Sequence, residues 1–133
     1  MKNVEHIGIA VRNFSEANAL YFKLLGVEPY KTEYVASEAV NTSFFRVGET
    51  KIELLEGTTP ESAISKFVEK RGEGIHHIAF EVEDIYREME RLRQEGFILL
   101  SEQPKKGADN KLVCFVHPKS ATGVLVELTQ EIR

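Results

Sequence analysis

Four side chains in this sequence, His6, Glu53, His77 and Glu127, have the types and the spacing to hold a divalent metal ion between them. The phrase Val4-Glu5-His6-Ile7-Gly8-Ile9-Ala10-Val11 returns 71 residues later around His77, as Ile75-His76-His77-Ile78-Ala79-Phe80-Glu81-Val82. Each half also closes on an apolar strand with one carboxylate out of pattern: Ile52-Glu53-Leu54-Leu55 and Val126-Glu127-Leu128. Two neutral imidazoles with two carboxylates suit a borderline cation such as Co, Mn, Ni or Zn. Structural zinc sites are closed and usually rich in thiolate, so an open nitrogen and oxygen site points towards catalysis.

The elements that must position these groups follow from the apolar periodicity. Residues 4–11 alternate, with Ile7, Ile9 and Val11 on one face and His6, Gly8 and Ala10 on the other. Asn13 or Ser15 can cap a following helix, because their side-chain oxygens accept from unpaired N–H groups. Ala17, Leu20, Tyr21, Leu24 and Leu25 recur at helical spacing, and Gly26 ends the run. Strands are expected over about 28–36, 40–47 and 51–56. The first repeat, about 4–57, therefore reads βαβββ. A linker helix is expected over about 59–72, opened by a Thr58/Glu61 capping box with Pro60 in its first turn. It reads as a bridge belonging to neither half. Repeat two, about 75–131, restores the order: a strand, a helix capped by Asp84 with Ile85, Met89 and Leu92 inward, then strands near 97–102, 111–117 and 123–130. Phe45 pairs with Phe115 and Glu53 with Glu127 at similar offsets. A duplicated unit is stronger fold evidence than any single motif, because element order and ligand position recur together.

Strand parity selects among the histidines. His77 shares its face with Ala79 and Glu81 and matches His6 in the repeat. His76 has the other parity and reads as a packed or edge histidine. Glu53 and Glu127 both point away from their apolar neighbours, and the small residues Gly8, Ala10 and Ala79 leave room beside them. Taken singly, each carboxylate could be an ordinary solvent-facing residue; the four positions together argue for a site.

Bulk properties narrow the function classes. The chain has 133 residues, 42% hydrophobic and 29% charged, with a formal net charge of −4. It is of single-domain size, and its acidity argues against a nucleic-acid partner. One cysteine, Cys114, excludes an internal disulfide and suits a reducing compartment. No stretch approaches the roughly 20 apolar residues of a membrane span, and the first strand starts too early for a signal peptide. A cytoplasmic protein without a membrane partner is expected.

The repeated βαβββ unit with one His and one Glu per half resembles the vicinal oxygen chelate superfamily, which unites glyoxalases, bleomycin-resistance proteins and dioxygenases. The stretches Thr50–Glu56, Arg71–Phe80, His117–Ser120 and Gly123–Leu128 resemble the methylmalonyl-CoA epimerase family within it. This resemblance implies an α+β fold in which two tandem βαβββ repeats form one cupped eight-stranded sheet around a metal site. It implies metal ligands at His6, Glu53, His77 and Glu127, a homodimer and a substrate carried on coenzyme A. The implied reaction interconverts (2R)- and (2S)-methylmalonyl-CoA by removal and return of the C2 proton through a metal-stabilised enolate. Glu127 is the first candidate base and Glu53 the candidate for the opposite face. Some members place a glutamate where this chain has Thr42, which cannot act as a base. Lys106, Lys111 and Lys119, with Lys105, are candidate anchors for coenzyme A, and Ser120 for the substrate carboxylate. Cys114 reads as packing. A glyoxalase I-type lyase, or a drug-binding protein of the same fold, fits the ligand pattern as an alternative.

Overall fold

The computed structural model describes residues 1–132. Its elements run β1 (Asn3–Ala10), α1 (Phe14–Leu25), β2 (Lys31–Val35), β3 (Val40–Val47), β4 (Thr50–Gly57), α2 (Ala63–Arg71), β5 (Gly74–Glu81), α3 (Ile85–Gln94), β6 (Lys105–Gly107), β7 (Lys111–Val116) and β8 (Val126–Glu131). The eight strands hydrogen-bond in the order β2-β3-β4-β1-β5-β8-β7-β6, a mixed sheet of two βαβββ repeats. The chain divides into two compact units, one of residues 6–76 and the other of residues 1–5 with 77 onward.

In the first-repeat unit, β1 runs parallel to β4, while β4–β3 and β3–β2 are antiparallel. Asn13 rather than Ser15 caps α1, its Oδ1 accepting from the Glu16 N–H at 2.9 Å. Gly26, at φ 74°, ends the helix in the left-handed region that glycine enters at little cost. Ala17, Tyr21 and Leu25, spaced by four, pack on Phe45, Leu54, Ile9 and Ile52. Leu20 and Leu24, expected on that stripe, lie beside it and are 61% and 68% exposed.

The linker helix differs from expectation. It begins at Ala63, with Ser62 as N-cap accepting from the Ile64 N–H, instead of opening on Thr58 and Glu61. It also belongs to one unit: Ile64, Phe67 and Val68 pack on Ala10, Val40 and Leu55. Both sheet faces are therefore covered there, α1 on one and α2 on the other. On β1 the His6, Gly8 and Ala10 face is the more buried one, with Ile7 and Ile9 only half-buried, and α2 covers it at Ala10.

In the second-repeat unit, β5 runs parallel to β8, and β8–β7 and β7–β6 are antiparallel. Asp84 caps α3 as expected, its Oδ1 accepting from the Arg87 N–H at 3.1 Å. Ile85, Met89 and Leu92 are buried against Val82, Cys114, Val116 and Leu128. The strand expected at 97–102 reduces to a bridge between Leu99 and Val116, and the ladder resumes only at β6. The Ile98 N–H is taken by the Ser120 hydroxyl at 2.9 Å, and Pro104 has no N–H to give, so a continuous strand cannot form.

Strand register corrects one repeat correspondence. Phe44 lies opposite Glu53 on β4, as Phe115 lies opposite Glu127 on β8. Phe44, not Phe45, is therefore the counterpart of Phe115; Phe45 pairs with Ile52 on the helix-covered face.

Candidate metal centre

In each unit the predicted histidine meets the predicted glutamate. His6 Nδ1 lies 3.1 Å from Glu53 Oε2 in the first-repeat unit. His77 Nε2 lies 3.1 Å from Glu127 Oε1 in the second. The four residues are only 5–6% exposed. The bland reading of Glu53 and Glu127 as solvated positions on amphipathic strands is thereby excluded. The two pairs are alike in residue type and differ in which ring nitrogen faces the carboxylate.

The neighbours of each pair also repeat. Glu53 has Gly8 beside it on β1 and Phe44 beside it on β3. Glu127 has Ala79 beside it on β5 and Phe115 beside it on β7. A small residue on one side leaves volume next to the carboxylate, and an aromatic ring on the other limits its rotation. Phe115 also stands edge-on to the His77 ring, with centroids 6.0 Å apart and planes at 86°. His76, as its parity predicts, faces elsewhere and packs edge-on against Phe67 of α2 at 5.0 Å.

The separations fit metal ligation. Zinc-type bonds to His nitrogen and carboxylate oxygen are about 2.0–2.2 Å, which places neighbouring donors of an octahedron about 3 Å apart. Each His–Glu pair has that spacing. An uncharged imidazole offers a lone pair at the nitrogen that faces the carboxylate, so both pairs can serve as two adjacent ligands.

The other predicted residues separate into two groups. Lys106 on β6 and Lys119 after β7 are exposed, as is Lys105. The Ser120 hydroxyl accepts from the Ile98 N–H, which leaves its own proton available to donate. Lys111 behaves differently: it is 7% exposed, with its ammonium 3.8 Å from Glu5 and 3.6 Å from Glu131. An ammonium held inside the fold in this way is not a surface anchor for phosphates. Thr42 is 1% exposed and lies opposite Leu55 on β4. Cys114 is buried among apolar side chains, and burial pushes its thiol up from its ordinary range, consistent with a packing role.

Sequence reasoning missed two groups. Glu5 and His6 are consecutive yet both buried, which strict alternation does not give. The Thr129 hydroxyl is fully buried and has no hydrogen-bond partner among the described residues. It stands two residues beyond Glu127 on the same strand face, where strand parity places it; its burial without a partner is what the sequence did not show.

The fold and the paired histidines and glutamates define a class, and the chain belongs to it: residues 5–115 match the glyoxalase/bleomycin resistance protein/dioxygenase superfamily. Several of its relatives within that class are named methylmalonyl-CoA epimerases. The ethylmalonyl-CoA/methylmalonyl-CoA epimerase of Cereibacter sphaeroides is 42% identical over 96% of each chain. A variant of the Streptomyces coelicolor methylmalonyl-CoA epimerase, solved in complex with 2-nitronate-propionyl-CoA, is 31% identical with a TM-score of 0.95, covering 100% of this chain and 99% of that one. The Mycobacterium tuberculosis methylmalonyl-CoA epimerase is 32% identical with a TM-score of 0.93, covering 98% and 89%. Among the described residues, no helix is long and apolar enough to cross a membrane.

Proposed function

We propose that the protein epimerises methylmalonyl-CoA at C2, with His6, Glu53, His77 and Glu127 holding one divalent cation. The observation that carries this reading is the pair of buried His–Glu contacts, each 3.1 Å, at equivalent places in the two repeats. The named relatives, matched over nearly their full length or most of it, supply the reaction.

Removing the C2 proton generates a carbanion between a thioester and a carboxylate, and its charge is the main obstacle. A bound divalent ion supplies Lewis-acid stabilisation of negative charge on oxygen, typically several kcal/mol. The protein's own groups do the rest. Glu127, held beside His77 and flanked by Ala79 and Phe115, accepts the C2 proton on its carboxylate. Glu53, its counterpart in the other repeat, presents a carboxyl to the opposite face and returns a proton there. Proton transfer by a positioned carboxylate contributes about 10²–10⁴-fold. His6 and His77 orient the two carboxylates. Burial of all four groups excludes bulk water, which would otherwise screen the charge and quench the carbanion indiscriminately. Thr42 takes no part in proton transfer. Lys105, Lys106 and Lys119 are the exposed cations that meet the coenzyme A phosphates, and the protein works as a homodimer.

The test is deuterium uptake from solvent at C2 of methylmalonyl-CoA, with and without EDTA. Rapid exchange that EDTA suppresses is expected. Absence of exchange, with turnover of a glutathione hemithioacetal instead, would replace this reading with glyoxalase-type chemistry.

A further inference from the structure

Within the first-repeat unit, the sheet face that bears Glu53 is closed at one end and open at the other. On β3 this face presents Val40, Thr42, Phe44 and Arg46, and opposite the last three stand Leu55, Glu53 and Lys51 of β4. The helix α2 covers the end at Val40 and Leu55. The other end, next to the 47–50 turn, carries two cations directly opposite each other, Arg46 and Lys51. Like charges so placed repel and destabilise a sheet. The duplicated unit does not demand this pairing. Extending the β7–β8 register one step beyond Val116 and Val126 brings the counterparts, His117 and Leu125, together instead.

Arg46 is exposed and, among the described residues, meets no carboxylate; its guanidinium lies over the Tyr30 ring, 4.7 Å from the centroid. Tyr30 is held in turn beside Phe44, with ring centroids 6.0 Å apart, and Phe44 stands opposite Glu53. Lys31 adds a third cation one row further in, its ammonium 4.8 Å from the Phe44 centroid and 3.5 Å from Glu33. Three cations thus gather at one sheet end of a chain whose net charge is −4. Stacking on an aromatic ring fixes the plane of a guanidinium and leaves its N–H edge able to make two parallel bonds to an oxyanion.

We infer that Arg46 and Lys51, with Tyr30 as platform, form a site for a phosphate group at the open end of the Glu53 face. A phosphate between the two cations removes their repulsion, accepting a bidentate pair from Arg46 and a further bond from the Lys51 ammonium. With about two negative charges it matches both cations, where a carboxylate matches only one. The diphosphate of a coenzyme A thioester and a free nucleotide offer the same chemistry. Only the first of these sources rests on the proposed epimerase reading.

Calorimetry on the metal-loaded protein, desalted of excess ion, compares ADP with adenosine and coenzyme A with pantetheine, the second of each pair lacking phosphate. ADP should bind about 10-fold or more tighter than adenosine, the range of a charge-assisted hydrogen bond. Arg46→Gln and Lys51→Gln should each lower ADP affinity by about 5- to 30-fold and change adenosine affinity by no more than about 2-fold. Arg46→Lys, which keeps the charge and loses the planar fork, should lower ADP affinity by only about 2- to 5-fold. If the substrate's own tail is the source, Arg46→Gln raises the KM for methylmalonyl-CoA in step with its loss of coenzyme A affinity. If a free nucleotide is the source, that KM holds while ADP affinity falls. Unchanged ADP affinity in Arg46→Gln overturns the inference, as does an equal fall for adenosine or a wild type that binds the two alike. If Arg46→Gln does not fold, unchanged ADP affinity in Lys51→Gln overturns it equally. Absence of C2 proton exchange in the wild type would overturn the epimerase reading alone, because the difference between ADP and adenosine does not depend on it.

Discussion

His77 and Glu127 meet at 3.1 Å inside a ladder that holds their backbones on adjacent parallel strands, Ala79 facing Glu127 and Phe115 standing edge-on to the imidazole. The contact is set by the sheet, and removing one charge from it need not disturb the frame. Glu127→Gln keeps an oxygen donor while losing the basic carboxylate. Metal should stay bound, and C2 deuterium exchange should fall by about 10²–10⁴-fold. Full exchange in this variant would sink the assignment of Glu127 as base.

Metal binding should raise stability, because each His–Glu pair is brought together only in the folded chain. At a free ion concentration 100 times the dissociation constant, one site adds about 2.7 kcal/mol. The melting temperature should therefore rise on titration with Co or Mn and return to its starting value with EDTA. His6→Ala and His77→Ala should each lose most of that rise. A metal-independent melting curve in the wild type would remove the proposed centre.

The Cys114 thiol should be slow to react. Burial raises its pKa, so at neutral pH the nucleophilic thiolate is scarcer than in an exposed cysteine, and the reagent has no path to it. Alkylation by iodoacetamide should be negligible in the native protein and rapid in denaturant. Since a raised pKa means the thiolate appears only at higher pH, native reactivity should also climb later with pH than that of a free thiol. Fast native labelling would contradict the buried position.

Ala39, in the turn between β2 and β3, has φ 52°. An L-residue in the left-handed region carries a steric penalty of roughly 1–2 kcal/mol that glycine escapes, offset partly by the greater freedom of glycine when unfolded. Ala39→Gly should stabilise the protein by about 0.5–1 kcal/mol, measured by urea denaturation with unchanged slope. A loss of stability would show that the turn depends on the Ala39 methyl group.

Much of the candidate site was legible in the linear chain. His6 and His77 were separated from His76 by strand parity, and Glu53 and Glu127 by their place in apolar runs. Parity works because a strand repeats every two residues, whatever it pairs with. Where side chain to backbone hydrogen bonds decide the outcome, the pattern fails. Ser120 takes the Ile98 N–H, so the run 97–102 forms only a bridge. Ser62, closer to the apolar run than Thr58, wins the cap of α2.

The sequence alone determined the duplicated βαβββ order and which four side chains could hold a metal, because periodicity and repeat position are local properties of the chain. Only tertiary structure decided that Phe44 rather than Phe45 stands beside Glu53, that α2 packs on Ala10 and Leu55, and that Lys111 is buried beside Glu5. Register, helix docking and the burial of a charge depend on which distant residues arrive opposite one another. That is fixed by the sum of packing across the sheet, and no window of sequence contains it.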